Sequence, residues 1–551
     1  MGLPYRSISA ICALGTYLSA SGRISTWPQA GPLRSFFLLW AVQLGVWVIW
    51  RVLFYPKFFS PLRGLPGPSD NSWYNGQFKK IVESPSGAPM IEWMDSIPNA
   101  GLIRYLGPLN QERLLPTSPK ALVEVLNTKN YEFQKPSSLR HTIGRILGIG
   151  LLLAEGEEHK VQRKKLAPAF SVAHLKGLYP VFWNMAREGV EAMTAHIKSE
   201  TTGPKDKPMA VIEVGNWASR TTLDIIGVTG LGRGFGAIKN PENKLNQTYQ
   251  SLFKPNRQAQ ILNILGLFLP PRLLNLLPVK RNEDIHGAAR LIRGTCADLI
   301  QEKRERQARN EPLDLDILSA ALDSKLFNDE DLIDQLMTFL AAGHETTASA
   351  MTWAAYLLAK HPDVQTRLRA EIRERLPSIS GASSVSSADI DHMPYLNAVC
   401  NEILRYFPPA PLTLRHAVRD TTIQGQFVPK GTQVMIVPWA INRSATLWGP
   451  DALEFRPERW LPKFEGDKAA ALGGAVHNYA FMSFLHGPRS CIGQGFAKAE
   501  FAILLASWVG RFQMELHNKE EMDEKKVEIK GGITVRPAKG MHIEMTVLEG
   551  W

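Results

Sequence analysis

The residues best placed to do chemistry are grouped around Cys491, in the run Phe484-Leu485-His486-Gly487-Pro488-Arg489-Ser490-Cys491-Ile492-Gly493 and the helix-like Gln494-Gly495-Phe496-Ala497-Lys498-Ala499-Glu500-Phe501. A thiolate that holds iron needs backbone N–H donors and a helix N-terminus to stabilise its charge, and apolar cover against water and oxidants. Gly487 and Gly493 permit turns and close backbone approach, Phe484 supplies a hydrophobic shield, and Arg489 offers a fixed cation for a haem propionate. Taken alone, Cys491 reads better as a structural cysteine in a Gly/Pro turn, since a free cysteine is usually an inert small hydrophobe. The spacing Phe-x-x-Gly-x-Arg-x-Cys-x-Gly reverses that weighting, because five defined positions within ten residues rarely arise by chance.

A second group lies earlier. Asn328-Asp329-Glu330-Asp331 supplies an N-cap and a negatively charged first turn, and Leu332, Leu336, Phe339 and Leu340 recur at helical spacing. Then comes Ala341-Ala342-Gly343-His344-Glu345-Thr346-Thr347. Glycine and two threonines in mid-helix are locally unfavourable, and threonine hydroxyls compete for backbone carbonyls, which predicts a kink. An oxygen-activating site explains the choice: Ala342 and Gly343 leave room beside an iron, Thr346 supplies a hydroxyl, and Glu345 an acid to relay protons. A zinc protease would need His-Glu-x-x-His, and the last place here is Ala348.

Both motifs resemble those of the cytochromes P-450, the haem-thiolate monooxygenases, in which the thiolate favours O–O cleavage. Further stretches carry the resemblance. In residues 156–170 the family's Trp-x-x-x-Arg, whose residues reach a haem propionate, appears as His159 and Arg163. Glu402 and Arg405 match Glu-x-x-Arg; read without the resemblance, they are a surface ion pair contributing under ~1 kcal/mol. The meander Phe455-Arg456-Pro457-Glu458-Arg459-Trp460 adds Arg459, with Trp where Phe is common. The resemblance makes Glu402, Arg405 and Arg459 a structural trio that holds the haem loop, and Arg415 a propionate ligand.

The resemblance implies a mainly α fold with small β-sheets, covering almost all the chain beyond residue 68. It implies haem b bound through Cys491 without covalent attachment, Phe484 and Gly493 against it, and Glu345 and Thr346 as catalytic residues. The implied reaction inserts one atom of O2 into a lipophilic small molecule, in secondary metabolism or detoxification. Electrons would come from NADPH through a separate flavin reductase, with cytochrome b5 as a further donor, because no flavin or nicotinamide module is visible. Rival readings are a haem-thiolate isomerase, dehydratase or peroxygenase, and a non-enzymatic haem sensor. Residues 252–277, rich in Leu, Ile and Phe, match the family's membrane-facing substrate lid. The resemblance also places Lys160, Arg163, Lys164, Lys165 and Lys498 on the face nearest Cys491, where an acidic reductase would dock.

The chain has 551 residues, 44% hydrophobic and 21% charged, which suits a globular protein with an ample core. Its four cysteines are scattered, without a disulfide framework or a C-x-x-C pair, which points to a reducing compartment. The net charge of +11 invites nucleic acid, but residues 1–70 hold six Lys/Arg against Asp70 alone, so nucleic-acid binding is not expected. Gly230-Leu231-Gly232-Arg233-Gly234-Phe235-Gly236 lacks the dinucleotide spacing and reads as a helix end and loop. Residues 36–55 are long and apolar enough for a membrane anchor, with Arg51 near enough to one end to snorkel. Residues 1–35 form an N-terminal segment in which 8–20 suits a cleaved signal or a second membrane segment. Residues 56–68 form a proline-rich hinge, and 69–551 one haem-binding domain. The basic residues after the anchor put that domain on the cytosolic side of the endoplasmic reticulum membrane, in contact with lipid.

Overall fold

The computed structural model describes the chain apart from residues 1–4, 22–31, 202–206, 254–257, 259–260, 263–264, 267–270, 313–314, 324–326, 465 and 532. It begins with two apolar helices, α1 (Tyr5–Ala20) and α2 (Pro32–Ile49). Ile8 and Cys12 of α1 are buried, and Gly15 lets Leu39 of α2 come close. The helix continues as a π-turn segment through Phe59, so Leu33–Phe59 makes 27 helical residues, longer than the span read from hydropathy at both ends. Its outward face carries Phe37, Val42 and Val46, all more than half exposed. Among the described residues it is the one helix long and apolar enough to cross a membrane. Arg51 lies over the Tyr55 ring at 4.7 Å, which covers its charge with a π face.

The connector is not a free linker. Asn110 Nδ2 donates to the Val52 carbonyl at 2.8 Å, Arg104 Nη2 to that of Pro56 at 2.5 Å, and the Arg104 amide to that of Pro66 at 2.8 Å. Gly67 sits so close to the Arg104 carbonyl that any Cβ there would collide with it.

The body is mainly helical. Its elements include α3 (Ser137–Leu147), α4 (Gly156–Leu166), α5 (Val172–Glu200), α6 (Val214–Leu231), α7 (Lys280–Ala308), α8 (Asp329–Lys360), α9 (Pro394–Tyr406) and α10 (Gln494–Arg511). The centre is α8, 32 residues and therefore ~48 Å long. Its start is fixed by the Asn328 side chain, which accepts from the Asp331 amide at 2.8 Å, with three acids in the first turn. Most of α8 is buried, packed against α6, α7 and α10 in one large helical core. Gly343 is needed on the α6 side, where a Cβ would meet Ile226. The helix runs unbroken through the expected kink: the Thr346 hydroxyl donates to the Ala342 carbonyl at 2.9 Å and satisfies it without opening a turn.

A second core surrounds a five-stranded sheet ordered Leu102–Leu106, Glu112–Pro116, Gln433–Ile436, Thr413–Ala417 and Phe133–Gln134. Its last two strands carry Arg415 and adjoin Lys135. Beyond it, Thr421–Ile423 and Gln426–Val428 form a hairpin, turning through Gln424 and Gly425 with positive φ. Helix α6 ends at Gly232 in the left-handed region, as the glycine-rich run predicted. Of the stretch compared with a substrate lid, residues 254–257, 259–260, 263–264 and 267–270 lie outside the described residues.

Candidate active site

The loop over residues 484–491 returns the chain from the sheet core to the foot of α10. Its shape depends on Gly487, at φ +76°, where a Cβ would lie 2.1 Å from the Leu126 carbonyl oxygen, and on a turn over Gly487–Arg489. Leu485 also takes a positive φ of 55°. The Cys491 amide donates to the Phe484 carbonyl at 2.9 Å and ties the loop shut. Gly493 acts differently from the sequence expectation. Its φ of −88° suits any residue and a Cβ would find only the Phe170 ring at 3.7 Å, but its N–H donates to the Cys491 sulfur. All four cysteines are free, and Cys491 alone is exposed, although it lies deep among protein atoms. Deep burial of the site raises its thiol pKa; the Gly493 N–H and the Arg163 charge act the other way. Phe484 is half-buried beside Phe481.

Basic side chains gather beside this thiol. Arg163, on α4, donates to the carbonyl and hydroxyl of Ser490 and so clasps the cysteine loop. Arg489 is buried, donates to the Phe133 carbonyl at 3.0 Å and forms an ion pair with Glu155; its Nε has no partner among the described residues. Arg415, also buried, donates to Thr413 Oγ1 and the Leu414 carbonyl, both at 2.8 Å. Burial and the Arg489 charge push its pKa down to about 10. Lys135 lies 3.9 Å from Glu155, and burial with the Arg415 charge pushes its ammonium down to about 7. His159 is no surface residue: it is buried, its Nδ1 meets the Tyr131 hydroxyl at 3.2 Å, and burial with neighbouring cations lowers it to about 4. Lys135, Arg415 and Arg489 share the one carboxylate of Glu155, so the cluster is positive even where Lys135 has lost its proton, and doubly so where it keeps it. A buried positive excess suits an anion, and the charge of two haem propionates would favour the protonated Lys135. The residues present therefore fit haem: a solvent-reachable thiol backed by an N–H, and a cationic cradle with an orphaned guanidinium nitrogen.

On α8, Ala342 is exposed while Gly343 and Thr346 are half-buried, which makes this the open side of an otherwise buried stretch. Glu345 points elsewhere and is buried. Its Oε1 accepts from Thr534 at 3.1 Å and its Oε2 pairs with Arg536, from the C-terminal hairpin of Ile529–Gly531 with Val535–Pro537. Burial raises its pKa; Arg536 and Thr534 oppose that. His344 is fully buried, its Nδ1 meeting the Leu340 carbonyl at 2.5 Å, and burial lowers it to about 4, so it is neutral. The Thr347 hydroxyl donates to Glu500 of α10 at 2.9 Å, which joins the helix of Thr346 to the helix behind Cys491.

Glu402 is a fully buried hub, not a surface residue. It takes both arms of the Arg405 fork at 2.8 Å, Arg459 Nε at 3.0 Å, the Arg456 amide at 2.8 Å and the Trp460 indole N–H at 2.9 Å. Trp460 thus adds a donor that phenylalanine lacks. Arg405 also donates to the carbonyls of Asn442, Ala452 and Glu454, so the network staples the meander to α9. Asn442 carries the tie onward, its Oδ1 accepting from the Met482 amide just ahead of the cysteine loop.

The basic patch expected to dock a reductase is mostly engaged. Lys160 pairs with Glu157 and lies over the Tyr131 ring, Lys165 lies over Phe327, and Arg163 is turned inward. Lys498 is half-buried, held by Asn401 at 2.9 Å and close to the Phe481 and Phe484 rings, so it is removed from that surface. Lys164 remains exposed. The sequence reading missed Lys135, Tyr131, Glu155, Glu500, Thr534 and Arg536. Only Glu500 left a signal, as an acid within the apolar face of the helix after the cysteine.

A cysteine offered to iron inside a helical body, with a basic cradle for a dianionic ring, defines a haem-thiolate protein. The same conclusion follows from comparison: residues 66–543 match the profile of the Cytochrome P-450 family. A cytochrome P-450 monooxygenase of Aspergillus fumigatus is 47% identical over 509 residues, 92% of each chain. Others from Alternaria alternata and Gibberella moniliformis are 43% and 42% identical, covering 98% of this chain and 98% and 97% of theirs. The chain belongs to the cytochrome P-450 family, and it is a haem monooxygenase.

Proposed function

We propose that the protein oxidises a lipophilic small molecule with O2 and electrons from NADPH, delivered by a separate flavin reductase, while anchored in the endoplasmic reticulum membrane through Leu33–Phe59. The observation that carries this reading is the exposed Cys491 thiol beside a cationic cradle in which three cations share Glu155. When bound, haem supplies an iron that splits O2, placing one oxygen atom in the substrate and releasing the other as water. Cys491 would hold the iron through its sulfur, and the Gly493 N–H would disperse the thiolate charge. Arg489, Arg415, Lys135 and His159 hold the propionates, and Arg163 keeps the cysteine loop in register through Ser490. Thr346 presents its hydroxyl to the open side of α8 and passes protons inward. Glu345 holds the next proton; clasped by Arg536 and Thr534, it delivers it only after leaving that pair. The Glu402 network keeps the loop in place and takes no part in proton movement.

The test is reconstitution of the full-length protein with a reductase and NADPH in lipid, with candidate lipophilic compounds followed by the haem absorption spectrum. Oxygenated product that needs both NADPH and reductase is expected; product from hydrogen peroxide alone, or rearrangement without O2 uptake, would replace this reading with a peroxygenase or an isomerase. Cys491→Ser should remove the red-shifted Soret band of the reduced carbonyl complex. If that band persists in the variant, Cys491 is not the ligand.

A further inference from the structure

Away from the haem cradle, α3, α7 and the first third of α8 enclose a cleft of about 340 Å³. Its floor is apolar, with Ile149 and Met337, and it exists because Gly148 brings the chain against α8: at φ +68°, a Cβ there would lie 2.8 Å from the Asp334 Cα. The rim is basic. Arg145 is half-buried, and its Nη1 donates to Asn275 at 2.6 Å and Asn282 at 3.3 Å, while Nη2 donates to His286 at 3.1 Å. All three partners are neutral acceptors, so the guanidinium is held firmly while its charge stays uncompensated. Arg290 adds a second, exposed cation one turn beyond His286. The third arginine, Arg293, is neutralised by Asp334 at 2.9 Å and by Glu330, and the other oxygen of Asp334 is occupied by the Ile149 amide at 3.0 Å.

We infer that this cleft is a binding site for an amphipathic organic carboxylate, its head between Arg145 and Arg290 and its chain on Ile149 and Met337. The charges choose the head group. Among the described residues, the acids paired with these arginines are Asp334 and Glu330, both spent on Arg293, so a monoanion balances the rim and a phosphate dianion would leave it negative. A planar carboxylate also matches the guanidinium fork, and the apolar floor rewards a chain where an inorganic ion would leave it wet. The site goes beyond the proposed oxidation and does not depend on it, since binding needs neither electrons nor turnover.

Calorimetric titration of the full-length holoprotein with octanoate, octanol and inorganic phosphate tests this. Imidazole is present throughout to saturate the iron, and no NADPH is added. Octanoate should bind at least tenfold more tightly than octanol or phosphate. Arg145→Gln and Arg290→Gln should each raise the octanoate Kd about tenfold, the loss of one charge-assisted hydrogen bond, and leave the octanol Kd unchanged. Arg290→Gln removes no hydrogen bond or ion pair among the described residues, so an unaltered haem spectrum in that variant certifies its structure even if Arg145→Gln is unstable. Equal affinity for octanoate and octanol, phosphate binding as tight as octanoate, or a wild-type octanoate Kd in Arg290→Gln would each overturn the assignment.

Discussion

Replacing Glu500 by glutamine should flatten the dependence of stability on pH. Glu500 is fully buried, receives the Thr347 hydroxyl on one oxygen, and has no partner for the other among the described residues. Burial lifts its pKa from 4.5 to about 8, and the Thr347 bond offsets only part of that. Between those two values the folded protein keeps a proton that the unfolded chain has already released. Stability is therefore highest near the acid end of this window and falls as pH rises, by ~1.4 kcal/mol per pH unit and on the order of 5 kcal/mol across the window. Above about 8 both states are ionised and the slope vanishes. Glutamine keeps the shape and the Thr347 bond but cannot ionise, so Glu500→Gln should match the wild type near pH 5 and outlast it increasingly towards pH 8. Urea midpoints of the Soret transition, taken at several pH values, read the difference between the two proteins and cancel titrations they share. An infrared band of a neutral carboxyl at pH 7, absent from the variant, would identify the proton directly. Parallel midpoint curves, or no such band, would show that Glu500 is ionised in the fold and that its burial is compensated.

Gly487→Ala should cost the protein its haem, because a Cβ would strike the Leu126 carbonyl at 2.1 Å, whereas Gly493→Ala should retain it; haem-to-protein ratios of the purified variants check this, and the reverse order would sink the account of the loop. Thr346→Ala should keep haem and substrate binding but divert electrons into hydrogen peroxide, and Glu345→Gln should slow turnover, both read as product per NADPH consumed; wild-type coupling in both would remove them from the proton path. Lys164→Glu should slow the first electron transfer from the reductase at low salt by a modest factor, since it is an exposed cation of a cluster whose other members are paired, laid over aromatic rings or turned inward. Stopped-flow reduction across ionic strengths measures this, and an unchanged rate would place docking elsewhere.

What the sequence made legible was whatever is packed into short, contiguous runs. The cysteine loop, the capped α8 and the glycine-ended α6 each declare themselves within about ten residues, because turn chemistry and helix caps are local. Glu402 and Arg405 were legible as a pair, but their burial was not: it is imposed by Arg456, Arg459 and Trp460, more than fifty positions on. Lys135 and Glu155 flank α3 in plain polar surroundings, and only the sheet that brings Arg415 across, together with the loop carrying Arg489, turns them into a buried charge cluster. Lys498 shows the opposite failure. One turn into α10 it reads as a solvated cation, yet Asn401 and two aromatic rings arriving from other segments take it off the surface.

The three bonds that fasten the connector to Asn110 and Arg104 have a mechanical meaning. A flexible leash would let the catalytic body tumble above a bilayer and sample its surface at random. Here carbonyls inside the apolar helix itself, at Val52 and Pro56, are held by the sheet-bearing part of the body, so helix and body turn as one lever. In lipid, a change of bilayer thickness that tilts the helix would swing the whole body through the same angle and alter how deeply its flank sits among the head groups. Bilayer composition would then tune which face of the protein meets dissolved lipophiles, without any change at the iron, and cutting the helix after residue 59 would release that alignment together with the anchor.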